Sequence, residues 1–183
     1  MPPLAYANFI FRRCDLDMDH ASYLRFLISR HDKLDLSYAF AVKLSFVAGP
    51  LLFGKALLIH HEDSYRKLGA VGYTYGTGPD EYKDRENCQL EVFYIEPACR
   101  TPDLLLAAAS ELIDCIREGE AAVRYIQFWT PAAPEGRLLR RIAGLPGASR
   151  AEAGALALYR LPLDELERWI AGLATRRARR RTK

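Results

Sequence analysis

The chain has 183 residues, half of them hydrophobic and 27% charged, which is ordinary for one soluble globular domain. Its longest apolar runs, LLLAAA and FVAGPLLF, fall well short of the ~20 residues that cross a bilayer, and MPPLAYANFIFRRCDLD lacks the charged start and unbroken apolar core of a secretory leader. No apolar run is long enough for a membrane-spanning helix, and these features lead us to expect a cytoplasmic protein.

The net charge of +3 hides an asymmetry. The terminal stretch RRARRRTK carries six cations (Arg176, Arg177, Arg179, Arg180, Arg181 and Lys183), and taking these six from +3 leaves −3 for the body. We therefore expect one domain over residues 1–174 and a disordered basic tail over 175–183, not a uniformly basic nucleic-acid binder. Weak nonspecific contact between the tail and nucleic acid would be strongly salt-dependent, and no aromatic residues interleave the tail to stack bases. The four cysteines (Cys14, Cys88, Cys99 and Cys115) show no CxxC pair and no metal-ligand spacing, so free thiols and no metal are expected.

In chain order, NFIFRRC reads as a first strand. Asp17 or Asp19 can cap a helix that buries Leu24, Leu27 and Ile28. Residues 34–47 fit both periods, and the spacing of Leu36, Phe40, Leu44 and Val47 favours a helix, which Gly49 and Pro50 are expected to end. KALLIHHE and KLGAVGYTYGTG read as two strands joined by a polar turn, and GTGPDEYKDREN leads into a third, CQLEVFYIE. TPDLLLAAASELIDCIREG is the clearest helix: Thr101 at the N-cap, Pro102 first, Asp103 complementing the dipole, Gly119 at the end. Its apolar stripe is Leu105, Ala109, Leu112 and Ile116. AAVRYIQFW (strand), PEGRLLRRIAG (helix), GALALYRL (strand) and PLDELERWIAGLA (amphipathic helix) follow. Three successive strands before the central helix predict a mixed sheet covered by helices, an α/β class.

The stretch from Gln89 to Arg100 carries more than fold information. Leu90, Glu91, Phe93, Tyr94, Ile95, Pro97 and Arg100 fall in register with LE-x-aromatic/aliphatic-Y-V-x-P-x-x-R-G-x-G-x-G. On that pattern and the element order, the chain resembles the GNAT superfamily of acyl-CoA-dependent N-acyltransferases. Element order extends the likeness over residues 8–160, and sequence likeness is concentrated in 89–116. The resemblance implies a mostly antiparallel mixed sheet and acetyl-CoA as co-substrate. It also implies a small-molecule or peptide amine as acceptor, attacking directly.

By resemblance, the main chain of Phe93, Tyr94 and Ile95 would pair with the pantetheine arm. Arg100, Thr101, Asp103 and Leu104 would lie at the pyrophosphate. Glu91 would be the catalytic base, because an ammonium cannot attack a thioester until its proton is removed. The other reading of Glu91 is a solvent-facing strand residue.

The turn departs from the family. Its three glycine positions are occupied by Thr101, Asp103 and Leu105, and Pro102 lacks an N–H. Asp103 also places a carboxylate where phosphates are expected. Arg140 stands nearest the helix position that carries the family's tyrosine acid, and Tyr125 and Tyr159 read as strand packing residues. His60 and His61 point to opposite faces of a strand and cannot chelate together. Cys99 reads as a turn thiol. Three functions therefore stand open: an N-acetyltransferase, a noncatalytic GNAT-fold binding or assembly protein, and an RNA- or ribosome-associated protein using the tail. The apolar segment 34–47 or the last helix offers a homodimer surface.

Overall fold

The computed structural model describes residues 9–34, 38–119 and 121–181. Among them, seven strands form a single sheet in the order β1-β2-β3-β4-β5-β7-β6. Strand β1 (Phe9–Arg13) leads to helices α1 (Asp17–Ile28) and α2 (Phe40–Phe53), then β2 (Gly54–His61), β3 (Lys67–Tyr75) and β4 (Asn87–Ile95). Helix α3 (Pro102–Glu118), β5 (Tyr125–Pro131), α4 (Arg137–Ala143), β6 (Ser149–Ala153), β7 (Leu156–Pro162) and α5 (Leu163–Arg181) complete the chain. Every neighbouring pair is antiparallel except β4 with β5. The expected mixed, mostly antiparallel sheet flanked by helices is therefore the observed one.

Both faces of the sheet are buried, and the period-two alternation of its strands sorts side chains between two cores. On one face Ala56, Leu58, Ala70, Val92 and Tyr94 pack under α1 and α2 through Tyr23, Phe26, Leu27 and Val47. On the other, Leu57, Ile59, Val71 and Ile126 pack under α3 and α5 through Leu104, Ala108, Leu112, Ile116 and Ile170. Central strands covered on both faces read as nearly continuous apolar runs, which is why KALLI and LGAVGY lack a polar face.

Four local expectations differ. Helix α2 does not stop at Gly49–Pro50 but runs through both to Phe53. Pro50 sits in the last turn, with Gly54 N–H bonded to its carbonyl, and its ring packs over Gly72 of β3. That packing outweighs the interior hydrogen bond which proline removes. At α1 the N-cap is Leu16, with no side-chain cap. Asp17 lies in the first turn, and buried Asp19 pairs with Arg12 at 2.7 Å. Tyr23, Phe26 and Leu27 face inward, whereas Ile28 is exposed.

Strand β6, SRAEA, has no apolar alternation, so periodicity does not predict it. It is an edge strand held by pairing to β7. Finally, residues 175–181, the start of the expected disordered tail, continue α5.

Gly72 fixes how closely α1 and α2 approach the sheet. A Cβ there would stand 2.8 Å from Pro50 Cγ and closer still to the Tyr23 hydroxyl. Gly72→Ala is expected to destabilise the protein by about 1–3 kcal/mol, the usual cost of overpacking, as read by urea unfolding. An unchanged midpoint would mean that α2 shifts freely.

Candidate active site

The site originates where β4 and β5 part. Parallel pairing runs from Asn87↔Tyr125 to Leu90↔Phe128 and stops, although β4 continues to Ile95 and β5 to Pro131. A cleft of about 1220 Å³ opens in the gap, above the ~300–1,000 Å³ usual for ligand sites. It passes through the sheet. On the α3 side its walls are Leu105 and Ala109 of α3, Leu138 and Ile142 of α4, and Trp169 and Leu173 of α5. On the α1/α2 side they are Lys33, Leu34, Phe46 and Val47.

Glu91 lies at the point of parting. Between β3 and β4 the register passes from Gly72↔Val92 to Tyr73↔Leu90, so Glu91 is the extra residue of a β-bulge. Bulges re-aim a side chain and end pairing, and here Glu91 lines the cleft. Gln89 Nε2 donates to Glu91 Oε1 at 2.8 Å, and Gln127 Nε2 on β5 donates to Gln89 Oε1 at 3.0 Å. This amide chain links the Gln89↔Gln127 pair, one step before the pairing ends, and hands one hydrogen bond to the carboxylate. Burial raises the Glu91 pKa from 4.5 to about 7, with the Gln89 bond opposing it.

The edge of β4 that faces the cleft carries fewer open groups than its sequence implies. In an antiparallel ladder, alternate residues turn their N–H and C=O toward the partner. The bond from Glu96 N–H to Leu68 O sets that phase, so Tyr94 presents a side edge to the cleft while its main chain addresses β3. Phe93 and Ile95 have theirs toward the cleft, but the Ile95 carbonyl already accepts from Arg100 Nε at 2.9 Å. Arg100 itself lines the cleft.

The turn after β4 is closed on itself in part. Thr101 caps α3, its hydroxyl accepting from Leu104 N–H at 3.2 Å, so the Leu104 amide has a partner. Asp103 pairs with Arg177 Nε at 2.6 Å. At the opposite end of the same helix Arg117 pairs with Glu167 at 2.9 Å and with Asp164. Helix α5 is thereby tied antiparallel along α3, bringing the basic C-terminal segment to the α3 N-terminus. Arg176 and Arg177 line the cleft, as do Arg137 and Arg141, one helical turn apart on α4. Of the charged side chains that line it among the described residues, six are cations and one, Glu91, is a carboxylate.

Sequence reasoning found Glu91, Phe93 and Arg100, which the structure brings together, but missed Gln89, Gln127 and the arginines of α4 and α5. Arg140 does not line the cleft. Tyr94, the one tyrosine that does among the described residues, donates its hydroxyl to Glu96 at 3.0 Å. Tyr159 is buried and donates to Glu135 at 2.5 Å, and Tyr125 lies under Arg160 at 3.6 Å. Among the described residues no three His, Cys, Asp or Glu side chains come together as a metal site, and no helix is long and apolar enough to cross a membrane.

Compared with solved structures, the chain is similar to a GNAT-family member from Desulfovibrio desulfuricans (18% identity, TM-score 0.59, covering 85% of this chain and 99% of that one). It is also similar to a GNAT-family acetyltransferase from Brucella melitensis solved with acetyl-CoA (13%, 0.55, 86% and 89%) and to an acetyltransferase from Agrobacterium tumefaciens (16%, 0.54, 87% and 94%). No family model and no curated protein matches the sequence. The chain has the GNAT fold. The three solved structures are described as acetyltransferases, and the one from Brucella melitensis holds acetyl-CoA.

The raised pKa of Glu91 has a stability consequence. Between its ordinary 4.5 and about 7, the unfolded chain ionises Glu91 while the folded protein holds the proton, so stability falls as pH rises through that window. Glu91→Gln removes this loss. At pH 8 the variant is expected to be more stable than wild type by on the order of 2 kcal/mol, with no such gain at pH 4. Equal gains at both pH values in thermal unfolding would show that ionisation is not the cause.

Proposed function

We propose that the protein transfers an acyl group from acyl-CoA, acetyl-CoA in the first instance, to an amine by direct attack, with Glu91 accepting the proton. One observation carries this reading: a half-buried carboxylate with a pKa of about 7 stands at the parting of β4 and β5, in a cleft whose other charges, among the described residues, are all positive. A base tuned near the working pH is what amine deprotonation requires, and the Gln127–Gln89 chain holds its acceptor oxygen in place.

The residues present fit a polyphosphate thioester. Arg100, Arg137, Arg141, Arg176 and Arg177 line the cleft, and guanidinium groups match phosphate oxygens in bidentate geometry. They make good the donors that a glycine-free turn with a proline does not offer. The carboxylate of Asp103, which in sequence opposes a phosphate, is offset by Arg177. The main chain of Phe93 gives the pantetheine arm an edge to run along, and the apolar wall of Leu105, Ala109 and Trp169 excludes water from it. The bound thioester supplies an acyl carbon activated for attack. The amine nitrogen bonds to that carbon as the C–S bond breaks, Glu91 takes the nitrogen's proton, and the sulfur departs as thiolate. Four free cysteines fit a cytoplasmic setting for this activity.

A noncatalytic reading draws on a different observation: Thr101 and Leu104 satisfy each other at the turn, and among the described residues the tyrosine that lines the cleft, Tyr94, has its hydroxyl engaged by Glu96. Calorimetric titration of the full chain with acetyl-CoA separates the two. Micromolar binding is expected, weakened about tenfold or more by the pair Arg137→Ala and Arg141→Ala. Asp103→Asn, which frees Arg177, is expected to tighten it several-fold. Absence of binding overturns the enzymatic reading.

With an amine substrate, kcat/KM is expected to rise with pH through about 7, as Glu91 loses its proton. Glu91→Gln is expected to lower it about 10²–10⁴-fold. A flat pH profile would assign the base elsewhere.

A further inference from the structure

Tyr23 of α1 is wholly buried, and its hydroxyl has no hydrogen-bond partner among the described residues. Unpaired donors are costly in an interior, and native proteins keep few of them. Resting on the acyl-CoA reading above, we propose that Tyr23 is a positioning residue for the base. One water joins its hydroxyl to Glu91 and passes on the second hydrogen bond that the ionised carboxylate receives.

The two side chains share one face of the sheet. Cys88 and Leu90 of β4 belong to the core under α3, whereas Val92 and Tyr94 belong to the core under α1 and α2. The bulge makes that switch by turning Glu91 and Val92 to the same side. Gln89, which alternation sets opposite Leu90, reaches Glu91 from this side too. Tyr23 rests over Gly72 on the same face, where a Cβ would collide with its hydroxyl. Gly72 pairs with Val92, about 4.5–5.5 Å away across the ladder, and Glu91 is the next residue. The hydroxyl is thus one rung and one residue from Glu91, within the reach of a carboxylate and one bridging water. The Glu91 charge is felt at Tyr23 accordingly.

Each group offers what the other lacks. Among the described residues Gln89 is the hydrogen-bond partner of Glu91, and it reaches Oε1, leaving Oε2 for a second donor. Burial first, then Cys14 and Glu91, raise the Tyr23 pKa well above the tyrosine range, so the hydroxyl keeps its proton and donates. A buried water takes two or more polar partners, and these are two. The other titratable groups around the base do not duplicate the bond. Burial holds the thiols of Cys14 and Cys88 neutral. Asp19 of α1 pairs with Arg12, and Lys43 of α2 donates to the His31 carbonyl. Among the described residues, Lys33 and the five arginines of the cleft lining form no ion pair with Glu91.

The test is the titration of Glu91 in the full chain, followed by NMR with glutamate labelled with ¹³C at the carboxyl carbon; its signal is the one that Glu91→Gln removes. Tyr23→Phe deletes one oxygen and keeps the ring. It is expected to raise the Glu91 pKa by about one unit, because a lost donor disfavours the charged form. Phe26→Leu perturbs the same core but keeps the hydroxyl, and is expected to give no more than about a third of that shift. An unmoved or lowered pKa in Tyr23→Phe overturns the proposal, since removing an orphan hydroxyl from a purely structural site leaves Glu91 as it was. An equal shift in Phe26→Leu overturns it too. Calorimetric titration of wild type with acetyl-CoA runs beside these. The expected shift without acetyl-CoA binding keeps the link between Tyr23 and Glu91 and overturns the reading of Glu91 as the base for acyl transfer.

Discussion

Beyond Leu90 and Phe128 no ladder pairing ties β4 to β5, and the arrangement of the molecule around that parting is a set of responses to it. Two strands that separate in the middle of a buried sheet leave backbone groups facing each other across a gap, and such groups need partners. Arg100 supplies one, at the Ile95 carbonyl. The gap also connects the two hydrophobic cores, so a single side chain placed there can be approached from both faces. The bulge in β4 places Glu91 at that point, and the apolar surroundings raise its proton affinity.

Electrostatics on the α3 side follows from how α5 lies. Its ion pairs to Arg117 at one end and Asp103 at the other set it antiparallel to α3, so that α5 contributes arginines to the end of the cleft where the turn itself offers few donors. In the turn, a threonine hydroxyl serves as helix cap and a proline begins the helix, both good for α3 and both poor for anion binding through amides. The cationic side chains of α4 and α5 answer that with charge rather than with backbone geometry.

Much of this was legible in residues with local consequences. Thr101, Pro102 and Gly119 marked the ends of α3 correctly because capping is a short-range matter. The LExFYIxP stretch marked the strand that borders the cleft. What sequence could not give were the long-range pairings. Asp103 and Arg177 are 74 residues apart, and the register that sets Gln127 beside Gln89 depends on a parallel pairing that no local pattern encodes. Pro50 misled because its cost to a helix is local while its packing on Gly72 is tertiary. SRAEA gave no period because an edge strand needs only one partner.

The pair between Asp103 and Arg177 has a further meaning. Arg177 both fastens the last turns of α5 and lines the cleft, so its guanidinium is a shared resource between the helix and any anion that enters. An anion that draws Arg177 away must release Asp103, and its apparent affinity then carries the free energy of breaking that pair. By reciprocity, whatever steadies or loosens that end changes anion affinity by the same factor. Should an anion bind there, the C-terminal helix would be a coupled element of the cleft, and ionic strength would act on both at once.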